Sequence, residues 1–170
     1  ISSISERRID QMLDPNRLAI KPFLAEDAGL ESGLMIVQYS AGASLGELHG
    51  HASPRTSFST TTSAGQEDHV SMGSTACWNL LQAVRRSSEV IACELFVARR
   101  GLHFIHNKSS KQIEILLRCI DTIVIDDITD RTTSSELRRI AHELLQSAWL
   151  SLIEAESSRI PKLIQEVSAF

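Results

Sequence analysis

The sequence predicts an all-α fold, a bundle of long helices. Three observations carry this. The stretch from Val70 to about His103 holds apolar residues at helical spacing with almost no interruption. Leu, Ile, Ala and Ser dominate while aromatics are 5% of the chain, a composition that suits helices better than sheets. A Ser/Thr-to-Glu pattern at Thr133-Ser134-Ser135-Glu136 has the form of a helix-opening capping box. At 170 residues the chain is long enough to bury a real core.

Residues 1 to 13 read as a helix with Ile4, Ile9 and Met12 or Leu13 on one side and Glu6, Arg7 and Arg8 on the other. Asp14-Pro15-Asn16 stops it, because proline excludes the residue before it from helical angles. Arg17 to Glu31 contains Pro22 and Gly29 and sustains no period, so it is expected to be a long ordered loop.

Ser32 to about Ala52 is the second expected helix. Gly42, Gly46 and Gly50 recur in it every four residues. Glycine inside a helix costs about 1 kcal/mol relative to alanine, so three on one face imply close approach of another helix. A Ser/Thr-rich loop then runs to Gly65 and four polar residues, Gln66, Glu67, Asp68 and His69. Acidic residues before a helix favour its unpaired first amides, and Asp68 is the expected cap.

The long helix follows, with Val70, Ser74, Cys77, Leu81, Val84, Ile91, Leu95, Ala98 and Leu102 on its expected inner face and Arg85, Arg86, Glu89, Arg99 and Arg100 elsewhere. Its length, ~50 Å at 1.5 Å per residue, is more than so short a chain can cover. Lys108 to Ile123 reads as a further helix, residues 124–128 as an extended link, and the capping box as the start of a helix bearing Leu137, Ile140, Leu144, Leu145, Ala148 and Leu152. A last helical segment is expected at about Pro161 to Val167.

Several function classes are disfavoured. The formal charge is −4 and no Lys/Arg cluster marks a nucleic-acid surface. No apolar run is long enough to cross a membrane, and no signal peptide is expected. Cys77, Cys93 and Cys119 sit in apolar contexts without pairing spacing, which fits buried thiols in a reducing, cytoplasmic setting. His49 and His51 diverge on a helix, and His103 with His106 lacks a completing ligand, so no metal site is expected. No serine sits in a strand-turn-helix elbow.

Capping by Asp68 does not account for Gln66 and Glu67, which on spacing alone read as a polar helix start. The run from Ser63 through Gln66, Glu67, Asp68 and His69 to Gly73 resembles the carboxy-terminal signature of the aromatic amino-acid ammonia-lyases, closest to the histidine ammonia-lyase type. Ser5-Glu6-Arg7-Arg8-Ile9, Pro22-Phe23-Leu24 and Ser32-Gly33-Leu34-Met35-Ile36 with Gln38 fall in the same order at similar spacing. The likeness is clear from about Ser5 to Leu102.

The resemblance implies residues 1–107 as the end of a central helical bundle and residues 108–170 as carboxy-terminal helices packed on it. It implies Gln66 and Glu67 in a pocket that binds an aromatic L-amino acid, with Glu67 catalytic and His69 structural. It further implies elimination of ammonia to an α,β-unsaturated acid, a homotetramer, and a methylidene-imidazolone electrophile formed from Ala-Ser-Gly. Ala43-Ser44-Leu45 is no substitute, because the bulk of Leu45 hinders the cyclising amide. The chain opens on Ile1 and is read as a carboxy-terminal part, inactive alone and completed by a missing amino-terminal portion or companion chain. Gly65 stands where the family usually has Asn, and Thr60-Thr61-Thr62 where proline is common, so substrate preference stays open. An aminomutase on the same scaffold and a non-catalytic helical assembly subunit are the alternatives.

Overall fold

A computed structural model describes residues 1–105 and 109–156. Six α-helices account for the regular structure among the described residues: α1 (Ser2–Leu13), α2 (Met35–His51), α3 (Gly73–His103), α4 (Lys111–Asp121), α5 (Ser134–Gln146) and α6 (Ala148–Glu156). The expected all-α bundle of long helices is what forms. The expected segment at Pro161–Val167 lies outside the described residues.

α3 is the spine. α1 and α2 pack on it and on each other, and α5 packs on it as well. The core they share is made by Ile9, Leu13, Val37, Ala41, Val90, Phe96, Val97 and Ile140, all buried. α1 presents Ser2, Ser5, Ile9 and Leu13 inward, with Glu6 alongside. This is one residue round from the expected stripe: Ile4 is 58% exposed and Glu6 is buried. Two serines on the inner face keep the helices close, which a bulky Ile4 there would prevent.

The inner face of α3 also differs from the expected one. Val90, Cys93, Phe96, Val97, Arg100 and Gly101 are buried, whereas Leu81 and Val84 are exposed and Ile91, Leu95, Ala98 and Leu102 half-buried. α3 carries apolar residues on more than one side, so periodicity offers two stripes and only the neighbouring helices choose between them. Cys77 is exposed, not a buried thiol; Cys93 and Cys119 are buried.

The glycine seam of α2 meets nothing among the described residues. A Cβ added at Gly42, Gly46 or Gly50 would have no atom within 4 Å. α2 instead packs on α3 through its other side, where Val37 and Ala41 are buried.

Before α2 the backbone makes a close approach that only glycine permits. Gly33 has φ +55, and a Cβ on it would lie 2.5 Å from the Phe23 carbonyl oxygen. That same oxygen accepts from Leu34 N at 2.9 Å. The Asp130 carboxylate, far along the chain, accepts from Ser32 N at 2.7 Å and Gly33 N at 2.9 Å.

The capping box does not form. Thr133 makes no side-chain cap bond to α5. The Glu136 carboxylate turns away to accept from Ile125 N at 2.8 Å and from the Arg131 guanidinium at 2.9 Å. A cation offers the carboxylate a stronger bond than the cap amide would. The expected single helix to Leu152 is broken as well: Ser147 takes φ +56, ending α5 and starting α6. α4 follows its sequence signals, with Ser110 accepting from Ile113 N at 3.4 Å and Glu114 and Arg118 placed to complement the helix dipole.

Candidate functional site

The polar run sits on the loop joining α2 to α3. Two helices that pack side by side hold the loop's ends, and a polar clamp fixes them to each other. The Ser44 hydroxyl on α2 donates to Glu89 of α3 at 2.8 Å, and Arg86 bonds Glu89 at 2.8 Å and Glu47 of α2 at 2.6 Å. This is where Ala43-Ser44-Leu45 lies, inside α2 with helical backbone, which is incompatible with a cyclised tripeptide.

Within the loop, two closures are nested. The outer one is Ser59, whose hydroxyl accepts from Val70 N at 2.9 Å and donates to Val70 O at 3.2 Å. The inner one is a backbone bridge: Thr62 N donates to Glu67 O at 2.9 Å and Glu67 N to Thr62 O at 3.3 Å. Between them the chain reverses through Ser63, Ala64 and Gly65, with φ of +54, +52 and +86. Gly65 takes that region freely, while Ser63 and Ala64 each hold it at a cost of about 1–3 kcal/mol. Bonds from Gly65 N to Thr62 O and Gln66 N to Ser63 O, both 3.1 Å, complete the turn.

Gln66 and Glu67 emerge side by side from this turn, and both are exposed. Glu67 Oε2 lies 3.4 Å from the Thr62 hydroxyl, leaving most of its acceptor capacity free. An amide and a carboxylate presented together on a constrained turn can bind an ammonium or an imidazole N–H by charge-assisted hydrogen bonds. Asp68 does not cap the long helix. That helix starts at Gly73, its N-cap position is Met72 with no side-chain bond, and Asp68 is exposed in the loop. Asp68 and His69 form a bend after the bridge, and Ser59 bonds both backbone polar groups of Val70 before the helix begins. His69 is exposed too.

No cluster of three or more metal-ligating side chains occurs among the described residues. His106 lies outside them. No helix among the described residues is long and apolar enough to cross a membrane. Sequence reasoning singled out Gln66 and Glu67 but passed over Ser59 and Glu89. Nothing in a Ser/Thr-rich loop marks one hydroxyl as a cross-loop partner, and Glu89 is one of several charged residues along α3.

Known proteins share this fold and much of this sequence. Residues 1–122 match the family model for aromatic amino acid lyases. The chain is 35% identical over 161 residues to the histidine ammonia-lyase of Deinococcus radiodurans, covering 95% of this chain and 31% of that protein. It is 50% identical over 103 residues to the histidine ammonia-lyase of Streptomyces coelicolor, covering 60% of this chain and 20% of that one. The crystal structure of histidine ammonia-lyase from Trypanosoma cruzi superposes with a TM-score of 0.85 at 28% identity, over 91% of this chain and 30% of that one. The chain thus spans less than a third of the length of each of these relatives.

Proposed function

The chain belongs to the aromatic amino acid lyase family, and from that premise we propose that it is the carboxy-terminal part of a histidine-type ammonia-lyase. The complete protein eliminates ammonia from an aromatic L-amino acid to give an α,β-unsaturated acid. The observation that carries this is the Gln66–Glu67 pair, exposed side by side on a doubly closed turn.

A methylidene-imidazolone group, formed from an Ala-Ser-Gly outside this chain, supplies the electrophile for the substrate's amine. Glu67 holds the substrate's ammonium or imidazole and orients the adjacent carbon for loss of its weakly acidic proton. Gln66 donates from its amide to the substrate's polar end and fixes its register. Because that proton is hard to remove, positioning and electrostatic stabilisation provide most of the acceleration. This chain alone catalyses nothing.

Assembly belongs to the same reading. α3 exposes Trp78 (60%) and Leu80 (64%), and α2 exposes Tyr39 (69%) beside its open glycine seam. A homotetramer, or its equivalent with companion chains, covers these surfaces, in the cytoplasm.

The test is Glu67→Gln in the complete protein, assayed for the unsaturated product from L-histidine, L-tyrosine and L-phenylalanine. Loss of a hydrogen bond to a charged group should lower kcat/KM by roughly one to two decades. Asp68→Asn, a change in a residue that caps nothing, should leave activity and Tm unchanged. Full activity in Glu67→Gln removes the assignment, and release of a β-amino acid instead would make the protein an aminomutase.

A further inference from the structure

The Ser59 hydroxyl makes two bonds to one residue eleven positions away, acting as acceptor and donor at once. In doing so it reproduces with a side chain the paired N–H and C=O exchange of two strands. Val70 stands three residues after Glu67, and Ser59 three before Thr62, so this clasp encloses the Thr62–Glu67 bridge. Both Ser59 and Val70 are half-buried, while Gln66 and Glu67 at the tip are exposed.

The inner bridge is poorly placed to hold the tip unaided. It consists of two backbone bonds and a long contact from the Thr62 hydroxyl at 3.4 Å. Against it stand two non-glycine residues, Ser63 and Ala64, in the left-handed region. With the turn bonds from Gly65 N to Thr62 O and Gln66 N to Ser63 O, the net stabilisation of four such bonds is comparable to the conformational cost of two such residues. The outer clasp tips the balance, and a hydroxyl is the group that can do so: an alanine would remove both bonds to Val70.

Resting on the assignment of Glu67 above, we infer that Ser59 is a positioning residue for the reaction, acting through Val70 and the Thr62–Glu67 bridge to hold the Glu67 carboxylate and Gln66 amide where substrate meets them. It touches no reacting atom. Its effect therefore falls on the productive orientation of bound substrate.

The experiment uses the complete protein with L-histidine, comparing Ser59→Ala, Ser59→Thr and Glu67→Gln. Ser59→Ala should lower kcat about tenfold with KM and Tm little changed, since small misplacements of a catalytic group are amplified in rate. Ser59→Thr keeps the hydroxyl and should restore most of kcat. Amide exchange at Glu67, whose N–H is bonded to Thr62 O, should quicken in Ser59→Ala and return in Ser59→Thr. Impaired Glu67→Gln beside a wild-type kcat in Ser59→Ala overturns the positioning role and leaves the lyase reading standing. A fully active Glu67→Gln overturns the role of Glu67, and the positioning role with it. Parallel losses in kcat, KM and Tm that Ser59→Thr does not rescue would make the clasp a fold element only.

Discussion

Glu136 pairs with Arg131 instead of closing the capping box at the start of α5. The two side chains are 4% and 14% exposed, and the carboxylate also accepts from Ile125 N at 2.8 Å. Arg131 reaches the carbonyl of Ile125 at 3.1 Å, and Arg100 of α3 bonds the carbonyls of Asp127 and Ile128 at 2.9 and 2.6 Å. These bonds tie the 124–131 link to α3 and α5, and Asp130 then ties the link to the entry of α2.

Breaking this pair by one partner should be far worse than removing both. Arg131→Met strands a buried carboxylate and should cost about 3 kcal/mol or more in urea unfolding, while Arg131→Met with Glu136→Leu should recover much of it. Single variants that each lose less than about 0.5 kcal/mol would show the pair to be solvated.

Gly33→Ala should destabilise the entry to α2. The added methyl would meet the Phe23 carbonyl at 2.5 Å and the Ala25 Cβ at 3.0 Å, on a backbone at φ +55. Strain of this kind costs about 1–3 kcal/mol, read as a lower Tm. A Gly33→Ala variant with unchanged Tm would show that the Phe23 carbonyl gives way at no cost.

Gly46→Leu separates a solvent-facing seam from a covered one by sign. Among the described residues a Cβ at Gly46 meets nothing. If the seam faces water, the variant gains up to about 1 kcal/mol of helix stability. In the proposed tetramer it should instead overpack every subunit, at about 1–3 kcal/mol each, and lower the mass seen by light scattering. A more stable variant of unchanged mass would end the tetramer proposal at this seam.

Burial pushes the Cys93 thiol up to about 12, with Glu89 adding to the effect. The folded thiol therefore stays protonated between pH 9 and 12 while the unfolded one ionises. Stability from this group is complete below pH 9 and is lost as pH rises towards 12, with a slope of at most about 1.4 kcal/mol per pH unit. The difference in unfolding free energy between wild type and Cys93→Val should change with pH across that window. A constant difference would mean the thiol is accessible.

The sequence by itself determined the helical class, helices α1 to α4 within a few residues, and the start of α5. Each rests on local chemistry: apolar spacing of one turn, and proline at Asp14-Pro15. Gln66 and Glu67 stood out through a family resemblance and not through their spacing. Tertiary structure alone decided what each polar group bonds. Asp68 was free to cap a helix that began three residues earlier, and Glu136 to close its box, until Ser59 bonded Val70 and Arg131 offered a cation. It also decided which apolar stripe of α3 is buried, because Leu81 and Val90 are equally apolar and the choice lies with where α1, α2 and α5 pack. Local propensity is a sum over neighbours in sequence; hydrogen-bond partners and burial are competitions among neighbours in space, and Ser59 and Val70 become neighbours only once the loop has closed.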